Sequence, residues 1–372
     1  MIYKKVIKPI LFKKDPEKVH DMVIKIGSLM GKCKLTKIGL SAILNYKHSF
    51  LTQTVDGIRY RNPIGLAAGF DKNADLTQIL PSVGFGFEEI GSVTALPCKG
   101  NPKPRLWRLP KHKSLVVHYG LKNIGSEAIA KKLQGKIFSF PLGISIAKTN
   151  CKETVDVKIA ILDYYKSFIT LEPFADYITI NISCPNAFGG QPFTSSKLLD
   201  QLLTKLDSIK SNKPRYIKMS PDLSKQQVDA LISVSEKHNI QGFIISNLLK
   251  NREKSGITPE ELSKVGAGGL SGKPLEKYSN EIISYVYRKT KGKFTIIGCG
   301  GIFNAKDVYY KIKSGASLVQ LITGMIYEGP TLIKNINKEL VKLLQKDGFT
   351  NISEAVGIDH QKSGEICRKL LN

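Results

Sequence analysis

Short apolar runs recur along most of the chain, and each run ends in small or polar residues. The eight runs cover residues 63–69, 87–94, 141–147, 177–183, 215–219, 242–246, 295–298 and 318–323. Stretches with apolar positions at helical spacing follow several of them, as at residues 195–209, 225–236 and 304–314. Eight strands that alternate with helices predict an α/β fold, the (β/α)8 TIM barrel, over residues 51–347. A doubly wound open sheet is the alternative, but the count of eight and the lack of a G-x-G-x-x-G motif after the first run favour the barrel.

The first 50 residues follow a different pattern. Asp15 and Pro16 are a favourable helix start, and apolar residues then fall at helical spacing as far as Gly31, which we expect to end the helix. A second helical pattern covers residues 35–44, and lysines flank both apolar faces. Residues 1–50 therefore predict an N-terminal helical extension. It is either a hairpin packed on the barrel or an amphipathic element that lies on an anionic membrane surface.

The charge of the chain is strongly positive. The 372 residues include 56 Lys and Arg against 31 Asp and Glu, a formal net charge of +25. This excess favours a polyanionic partner such as phosphate ligands, anionic lipid or nucleic acid, although a lysine-rich surface without a partner explains it equally well. No run of 18 apolar residues occurs, so no transmembrane helix is expected. The basic N-terminus does not resemble a cleaved signal peptide.

Two further segments complete the organisation. The connections at residues 96–117 and 265–274 are longer than the others, and we assign the mixed-polarity tail at residues 348–372 no function. Six cysteines lie far apart without a C-x-x-C pair, so we expect no metal site or redox dithiol. Unpaired cysteines are typical of a reducing cytoplasm.

The ends of the last two predicted strands are rich in glycine. The seventh ends in Gly298-Cys299-Gly300-Gly301 and the eighth in Thr323-Gly324. Barrels commonly build a phosphate site from backbone N–H groups at these two positions, and glycine lets the backbone approach an anion closely. The alternative is that the glycines only close tight turns.

Lysines and asparagines stand at other strand ends. Lys72, Lys148 and Lys218 lie at this rim beside asparagines. Lysine neutralises a carboxylate or a developing anion, and asparagine reads an amide-rich ring through donor and acceptor contacts. Each lysine taken singly is compatible with a structural role, but together they predict an anionic, polar ligand.

Cys184 is the reactive candidate. It lies in a polar loop between Ser183 and Pro185, where a thiolate could serve as a base or a nucleophile. The other interpretation is an inert cysteine, which is the more common role for this residue type. Cys299 lies in the proposed phosphate loop, and we expect it only to pack there.

Several motifs resemble dihydroorotate dehydrogenases in the order expected of that family, from about residue 8 to residue 345. They are N-P-I-G-L-A-A-G-F-D-K-N, G-F-G-F-E-E-I-G-S-V-T, P-R-L-W-R-L, N-I-S-C-P-N, G-G-L-S-G-K-P-L and I-I-G-C-G-G-I. The N-terminal extension resembles that of the class 2, quinone-dependent members. There it forms a hydrophobic tunnel to the flavin and rests on the membrane.

The resemblance implies FMN in the barrel mouth, oxidation of (S)-dihydroorotate to orotate in pyrimidine (UMP) biosynthesis, and a quinone as electron acceptor. The implied cofactor-binding positions are Ala68, Gly69, Lys72, Ser92, Ser145, Asn181, Lys218, Ser246, Gly272, Gly300, Gly301, Thr323 and Gly324. The implied contacts to dihydroorotate and orotate are Lys72, Asn181, Asn186 and Asn247. Cys184 and Lys218 are the implied catalytic residues, with Cys184 as the base that removes a substrate proton. The implied location is peripheral, on the cytoplasmic side of the cell membrane and in contact with its anionic surface, without a nucleic-acid partner.

Some positions depart from the class 2 pattern. The base there is serine, and cysteine is typical of the soluble class 1 enzymes. We expect the thiol to be the easier base, because its intrinsic pKa is lower than that of a hydroxyl. An asparagine that contacts the substrate is replaced by Val117, for which His118, Lys122 or Asn123 could compensate. An asparagine near the flavin becomes Ser145, and a tyrosine before the last Thr-Gly becomes Ile322.

Three other functions stay open at this point. One is an FMN barrel that oxidises another small ring, which the Val117 position favours. A second is an enzyme like the tRNA-dihydrouridine synthases, which share an FMN barrel and a similar cysteine motif. Ser183, the N-terminal extension and the G-G-L-S-G-K-P-L segment argue against it. The third is an inactive barrel kept as a membrane-binding scaffold. Fumarate is the alternative acceptor, because of the class 1-like cysteine.

Overall fold

The structure is a computed structural model, and it describes residues 2–361. Residues 362–372 of the predicted C-terminal tail, including Cys367, lie outside the described residues, as does Met1. The strands in chain order are β1 (Gln53–Val55), β2 (Ile58–Tyr60), β3 (Ile64–Leu66), β4 (Phe87–Val93), β5 (Leu106–Leu109), β6 (Ser114–Val117), β7 (Leu142–Ile146), β8 (Tyr177–Asn181), β9 (Arg215–Met219), β10 (Gly242–Ile245), β11 (Gly269–Gly272), β12 (Thr295–Cys299) and β13 (Leu318–Leu321).

Helices alternate with these strands. They are α1 (Lys8–Phe12), α2 (Pro16–Lys32), α3 (Lys34–Leu44), α4 (Leu80–Val83), α5 (Ser126–Leu133), α6 (Val157–Leu171), α7 (Ser196–Asp207), α8 (Lys225–Ser235), α9 (Pro259–Ser263), α10 (Glu276–Thr290), α11 (Ala305–Lys313), α12 (Thr323–Glu328) and α13 (Leu332–Lys346). A single π-helical turn, Tyr3–Ile7, precedes α1.

The predicted barrel is confirmed. All eight predicted runs form strands of one closed parallel barrel in the order β3-β4-β7-β8-β9-β10-β12-β13, and β13 pairs with β3 to close it. Most residues of the strands are apolar because helices cover the outside of the barrel. The helix α7 illustrates the outer layer, since its leucines at 199, 202, 203 and 206 are all buried.

Side chains fill the barrel interior in layers. Tyr60 of the β1–β2 hairpin closes the lower end, where its ring meets Phe87 edge-on at 5.2 Å. Tyr177 and Tyr216 complete this aromatic layer. Since alternate residues of a strand point to the same face, Glu89, Thr179 and Lys218 lie two residues further along and form a polar layer above it. The polar layer leads directly to the upper rim.

The long connections contain strands that the sequence did not reveal. β5, β6 and β11 form an antiparallel sheet, in which β6 lies between the other two. Val117 of β6 is paired with both Leu106 of β5 and Gly269 of β11. This small sheet stands over the upper rim, so it forms one wall of whatever space the rim encloses.

The two helices predicted in the N-terminal extension are present as α2 and α3, and the short helix α1 precedes them. Asp15 accepts a hydrogen bond from the Lys18 amide at the start of α2. The prediction that Gly31 ends this helix was wrong. The helix continues to Lys32, and Gly31 is buried against the segment before α4, where an added Cβ would lie 3.3 Å from the Cβ of Gln78. Gly31 is therefore a packing position. Along residues 2–361, no helix is both long and apolar enough to cross a membrane.

Candidate active site

A single cavity occupies the upper rim of the barrel, and it encloses about 1280 Å³ up to its open mouth. Its floor is formed by the ends of barrel strands, and its walls by the β5–β6–β11 sheet and by helix α2. The predicted site residues that line it are Ala68, Gly69, Lys72, Ser92, Asn181, Cys184, Asn186, Lys218, Ser246, Asn247, Gly272, Gly300, Gly301, Thr323 and Gly324. The fold thus brings together residues that are up to 256 positions apart in sequence, as for Ala68 and Gly324.

Lys72 supplies a cation that has no carboxylate within ion-pair distance among the described residues. Its ammonium lies 4.1 Å from the centre of the Tyr119 ring and 3.5 Å from Nε2 of His20. Burial and the nearby charge of Lys122 lower the pKa of Lys72 to about 7. An anionic ligand in the cavity would favour the charged form of this lysine and pair with it.

A chain of hydrogen bonds fixes the asparagines on the floor. The Asn181 side chain donates from Nδ2 to the Ser92 hydroxyl at 2.8 Å, and its Oδ1 accepts from Asn247 at 3.2 Å. Asn247 also donates to Ser183 at 3.0 Å, and its own oxygen accepts from the Leu248 amide. These internal bonds hold both side chains in one orientation. They also occupy one of the two N–H donors of the Asn181 side chain, so one N–H remains for a ligand.

Asn186 is oriented from the wall of the cavity. Its Nδ2 donates to the Val117 carbonyl at 2.9 Å, and its Oδ1 lies 3.2 Å from Nδ1 of His118. Val117 therefore positions Asn186 through its backbone, while its isopropyl group faces the cavity. Of the three residues proposed to compensate for Val117, Lys122 alone lines the cavity. His118 forms a hydrogen bond with Asn186, and Asn123 donates a hydrogen bond to Thr94, so neither side chain lines the cavity.

Cys184 faces the cavity from the loop after β8. The residue is partly buried, and burial raises the pKa of the thiol to about 11. The expectation that the thiol is an easy base is therefore not met, because the thiol is protonated at neutral pH. Forming the thiolate here costs free energy, because the buried surroundings of Cys184 solvate a negative charge poorly.

Lys148 does not lie in the cavity, although the sequence placed it at the same rim as Lys72. Its ammonium donates to the carbonyl oxygens of Phe188 at 2.7 Å and Thr154 at 3.2 Å. It thus ties the loop that carries Cys184 to the loop after β7. Burial lowers the pKa of Lys148, and the nearby Cys184 sulfur acts in the opposite direction.

The glycine-rich turns meet at one side of the cavity. Gly300 and Gly301 have φ values of 114° and 73°, which favour glycine. A Cβ on Gly324 would lie 2.0 Å from the carbonyl oxygen of Ile302, so only glycine lets these two turns touch. Ser271 and Thr323 are joined by a hydroxyl–hydroxyl hydrogen bond of 2.8 Å. The three backbone segments form a cradle with the properties of a phosphate site.

Lys218 points up from the polar layer of the barrel. It lies 3.7 Å from Oε1 of Glu89, its ion-pair partner among residues 2–361, and its ammonium faces the cavity. Ser246 lies beside it with a buried hydroxyl that has no partner within the described chain. An unpaired buried hydroxyl is costly, so its position at the cavity surface indicates a polar ligand group there.

Helix α2 contributes a residue that sequence reasoning missed. His20 lines the cavity, and its Nε2 lies 2.9 Å from the Phe70 carbonyl oxygen. Burial, followed by the charge of Lys72, lowers its pKa to about 4. The pattern around His20 is that of an ordinary amphipathic helix, so no local feature of the sequence indicates this contact.

Two other placements differ from the sequence expectation. Ser145 does not line the cavity. Its buried hydroxyl lies 2.7 Å from that of Ser92, so it supports Ser92 from behind. Leu121 and Leu248 line the cavity near Val117 and were not anticipated. Together these three residues give the cavity wall an apolar surface beside Asn186 and Asn247.

Comparison with known proteins agrees with this architecture. The family model for dihydroorotate dehydrogenase matches residues 50–344. A "Dihydroorotate dehydrogenase (quinone)" from Trichodesmium erythraeum is 37% identical over 96% of this chain and 98% of its own length, and one from Crocosphaera subtropica is 39% identical over 93% and 95%.

A crystal structure of DHODH from Eimeria tenella in complex with ferulenol superposes with a TM-score of 0.81. It is 30% identical and covers 93% of this chain and 96% of its own. The ligand-free structure of that protein superposes with a TM-score of 0.80. The resemblance found in the sequence motifs is confirmed, and the chain belongs to the dihydroorotate dehydrogenase family.

Proposed function

We propose that this protein oxidises (S)-dihydroorotate to orotate in pyrimidine (UMP) biosynthesis, with FMN in the barrel mouth and a quinone as electron acceptor. The observation that carries the proposal is the convergence of Lys72, Cys184 and the asparagine network on one cavity beside a glycine cradle. A cation, a proton acceptor and amide groups are what a small ring with a carboxylate requires.

The residues present fit FMN. The glycine cradle at Gly272, Gly300 and Gly324 matches a phosphate group, and the unpaired Ser246 hydroxyl and the Lys218 ammonium face the space where a polar ring system would lie. Bound FMN supplies the hydride acceptor for the oxidation. Ala68, Gly69, Lys72, Ser92, Asn181, Gly301 and Thr323 would form the rest of its site.

The chain's own groups bind the substrate and take its proton. Lys72 pairs with the carboxylate, and the free N–H groups of Asn181 and Asn186 orient the ring. The deprotonated Cys184 thiolate then accepts the proton at Sγ, and the resulting thiol releases it to solvent after the product leaves. Substrate in the cavity excludes water from the thiolate, so the transfer is direct.

The acceptor side of the cavity is apolar. His20 of α2, with Leu106, Leu115, Ile322 and Ile326, lines the part that faces the N-terminal extension. Such a surface suits a quinone ring and its hydrocarbon tail. Residues 1–50 act in this proposal as the membrane and quinone-access segment, and residues 51–347 as the FMN-binding barrel.

The protein is proposed to lie peripherally on the cytoplasmic side of the cell membrane. Exposed apolar side chains are concentrated on the extension: Ile2, Val6, Ile7, Ile10, Met22, Val23, Ile26, Leu29, Leu35, Ile38 and Ile43. The first 44 residues also contain ten lysines against three acidic residues. Apolar groups surrounded by lysines are the requirement for binding an anionic lipid surface.

A second function is favoured by the apolar wall of Val117, Leu121 and Leu248. This wall would suit a ring with fewer polar groups on one edge than dihydroorotate, oxidised by the same chemistry. Comparing dihydroorotate with less polar dihydropyrimidines as reductants of the enzyme distinguishes the two.

The acceptor is tested by steady-state turnover of the yellow holoenzyme with dihydroorotate. We expect a ubiquinone or menaquinone analogue in detergent to support turnover and fumarate to give less than a tenth of that rate. Fumarate activity that equals or exceeds quinone activity would contradict the quinone proposal, and full activity after removal of residues 1–50 would exclude the access role.

A further inference from the structure

Glu89 is a buried acid that the reaction outlined above does not use. It lies on β4 inside the barrel, and its side chain is fully buried. Its Oε2 accepts hydrogen bonds from Thr179 at 2.9 Å, from Gln320 at 3.0 Å and from Tyr177 at 3.3 Å. Three neutral donors on one oxygen hold the carboxylate in a fixed orientation.

The other carboxylate oxygen points at the cavity lysine. Oε1 of Glu89 has no hydrogen-bond partner in the described part of the chain, and it lies 3.7 Å from the ammonium of Lys218. Both groups are buried, at 0% and 4% exposure, so solvent screens the charges weakly. The Glu89 charge therefore reduces the positive potential that Lys218 presents to the cavity.

We propose that Glu89 is a positioning residue that holds the Lys218 ammonium toward bound FMN and sets the reduction potential of the flavin by offsetting the charge of that lysine. The inference rests on the proposed FMN site. A cation beside the flavin stabilises its reduced, more negative form, so an anion that offsets the cation lowers the potential. Glu89 acts through Lys218 and does not contact the substrate.

The adjacent residue provides a matched control. Glu88 is also fully buried, but it points out of the barrel because successive residues of a strand face opposite sides. Burial and the charge of the nearby Asp71 raise the pKa of Glu88 well above its ordinary value. Glu88 thus does not face Lys218, and E88Q makes the same substitution on the outer side of the strand.

The test is the midpoint potential of the FMN-loaded full chain, measured by equilibration with a redox dye without dihydroorotate. We expect E89Q to raise the midpoint potential of FMN by at least about 30 mV. For a two-electron couple this is a tenfold change in the ratio of oxidised to reduced flavin at a given potential. E88Q should leave it unchanged. In a K218M background, E89Q should shift the potential far less, because the lysine through which it acts is gone.

A second variant keeps the charge in place. T179V removes one hydrogen-bond donor from Oε2 of Glu89. The carboxylate then offsets more of the Lys218 charge, so the midpoint potential of FMN should fall. This opposite sign is measurable even if E89Q does not fold.

Equal potentials for wild type, E89Q and T179V would overturn the inference, as would an equal E89Q shift with and without Lys218. A flavin that bleaches with dithionite but not with dihydroorotate would contradict the proposed substrate alone. A protein that binds no flavin would overturn both proposals.

Discussion

At the scale of single residues, the Cys184 thiol determines how the reaction depends on pH. Its pKa of about 11 means that the thiolate fraction rises tenfold for each pH unit below that value. We expect the rate of flavin reduction by dihydroorotate to rise about tenfold per unit between pH 6.5 and 9.5, measured by anaerobic stopped flow.

The control for this pH dependence is C184A. It should lower the rate by roughly 10²–10⁴-fold, and the pH dependence should disappear while FMN stays bound. A pH-independent rate in the wild type, or a near-normal rate in C184A, would remove Cys184 from the role of base.

Val117 permits a gain-of-function prediction. Val117 lines the cavity with an apolar side chain. If a polar edge of the proposed substrate lies against it, that edge has no partner there, and an unpaired polar group costs about 1–3 kcal/mol. V117N should therefore tighten dihydroorotate binding by roughly 5- to 150-fold in a flavin-bleaching titration. V117T keeps the shape of valine without an amide and should gain much less. Weaker binding in V117N would show that the substrate does not present a polar edge at this wall.

The sequence predicted which residues lie at the rim of the barrel, but not which of their side chains point into the cavity. Lys72, Lys218 and the glycine turns could be found because the ends of successive barrel strands converge on one rim, whatever the details of packing. Lys148 and Ser145 could not be placed, because a rim position does not fix whether a side chain points into the cavity or behind it. The hydrogen bonds that occupy Asn181 and Asn247 are likewise visible only in three dimensions.

At the scale of elements, the strands with a strong local hydrophobic pattern could be predicted from the sequence. The eight barrel strands have three to seven residues and are mostly apolar because both of their faces are buried, and this is a local signal. The sheet of β5, β6 and β11 gave no such signal. Its pairing of Val117 with Gly269 joins distant segments, and each strand has only four residues.

The docking of α2 predicts a sensitivity to acid. His20, beside Lys72 and Asp21, has a folded-state pKa of about 4 against an ordinary value of 6.5. The unfolded chain therefore binds more protons between pH 6.5 and 4, and stability is lost as the pH falls through this window. The free energy of unfolding should decrease by up to about 1.4 kcal/mol per pH unit.

Denaturant unfolding of wild type and H20N at several pH values measures this effect. H20N removes the titrating ring, so its stability should decrease less steeply over the same range. Parallel pH profiles for the two proteins would show that His20 does not contribute to the acid sensitivity.

At the scale of the whole molecule, charge and exposed apolar surface occur together on the N-terminal extension. Leu35 is 78% exposed on α3, whereas Leu162 is 57% exposed on α6 of the barrel layer. L35E should weaken binding to vesicles that contain phosphatidylglycerol by at least tenfold in a sedimentation assay, because it places a charge in the proposed lipid contact. L162E adds the same charge elsewhere and should leave binding unchanged. Equal effects of the two variants would contradict the proposed orientation on the membrane.

The central claim is that this cavity oxidises dihydroorotate, and it is tested most directly by anaerobic mixing of the purified holoenzyme with L-dihydroorotate. The flavin absorbance should bleach in a single turnover, at a rate that saturates with substrate, and orotate should appear in equal amount. FMN that stays oxidised at saturating dihydroorotate, in a protein that dithionite still bleaches, would contradict the claim.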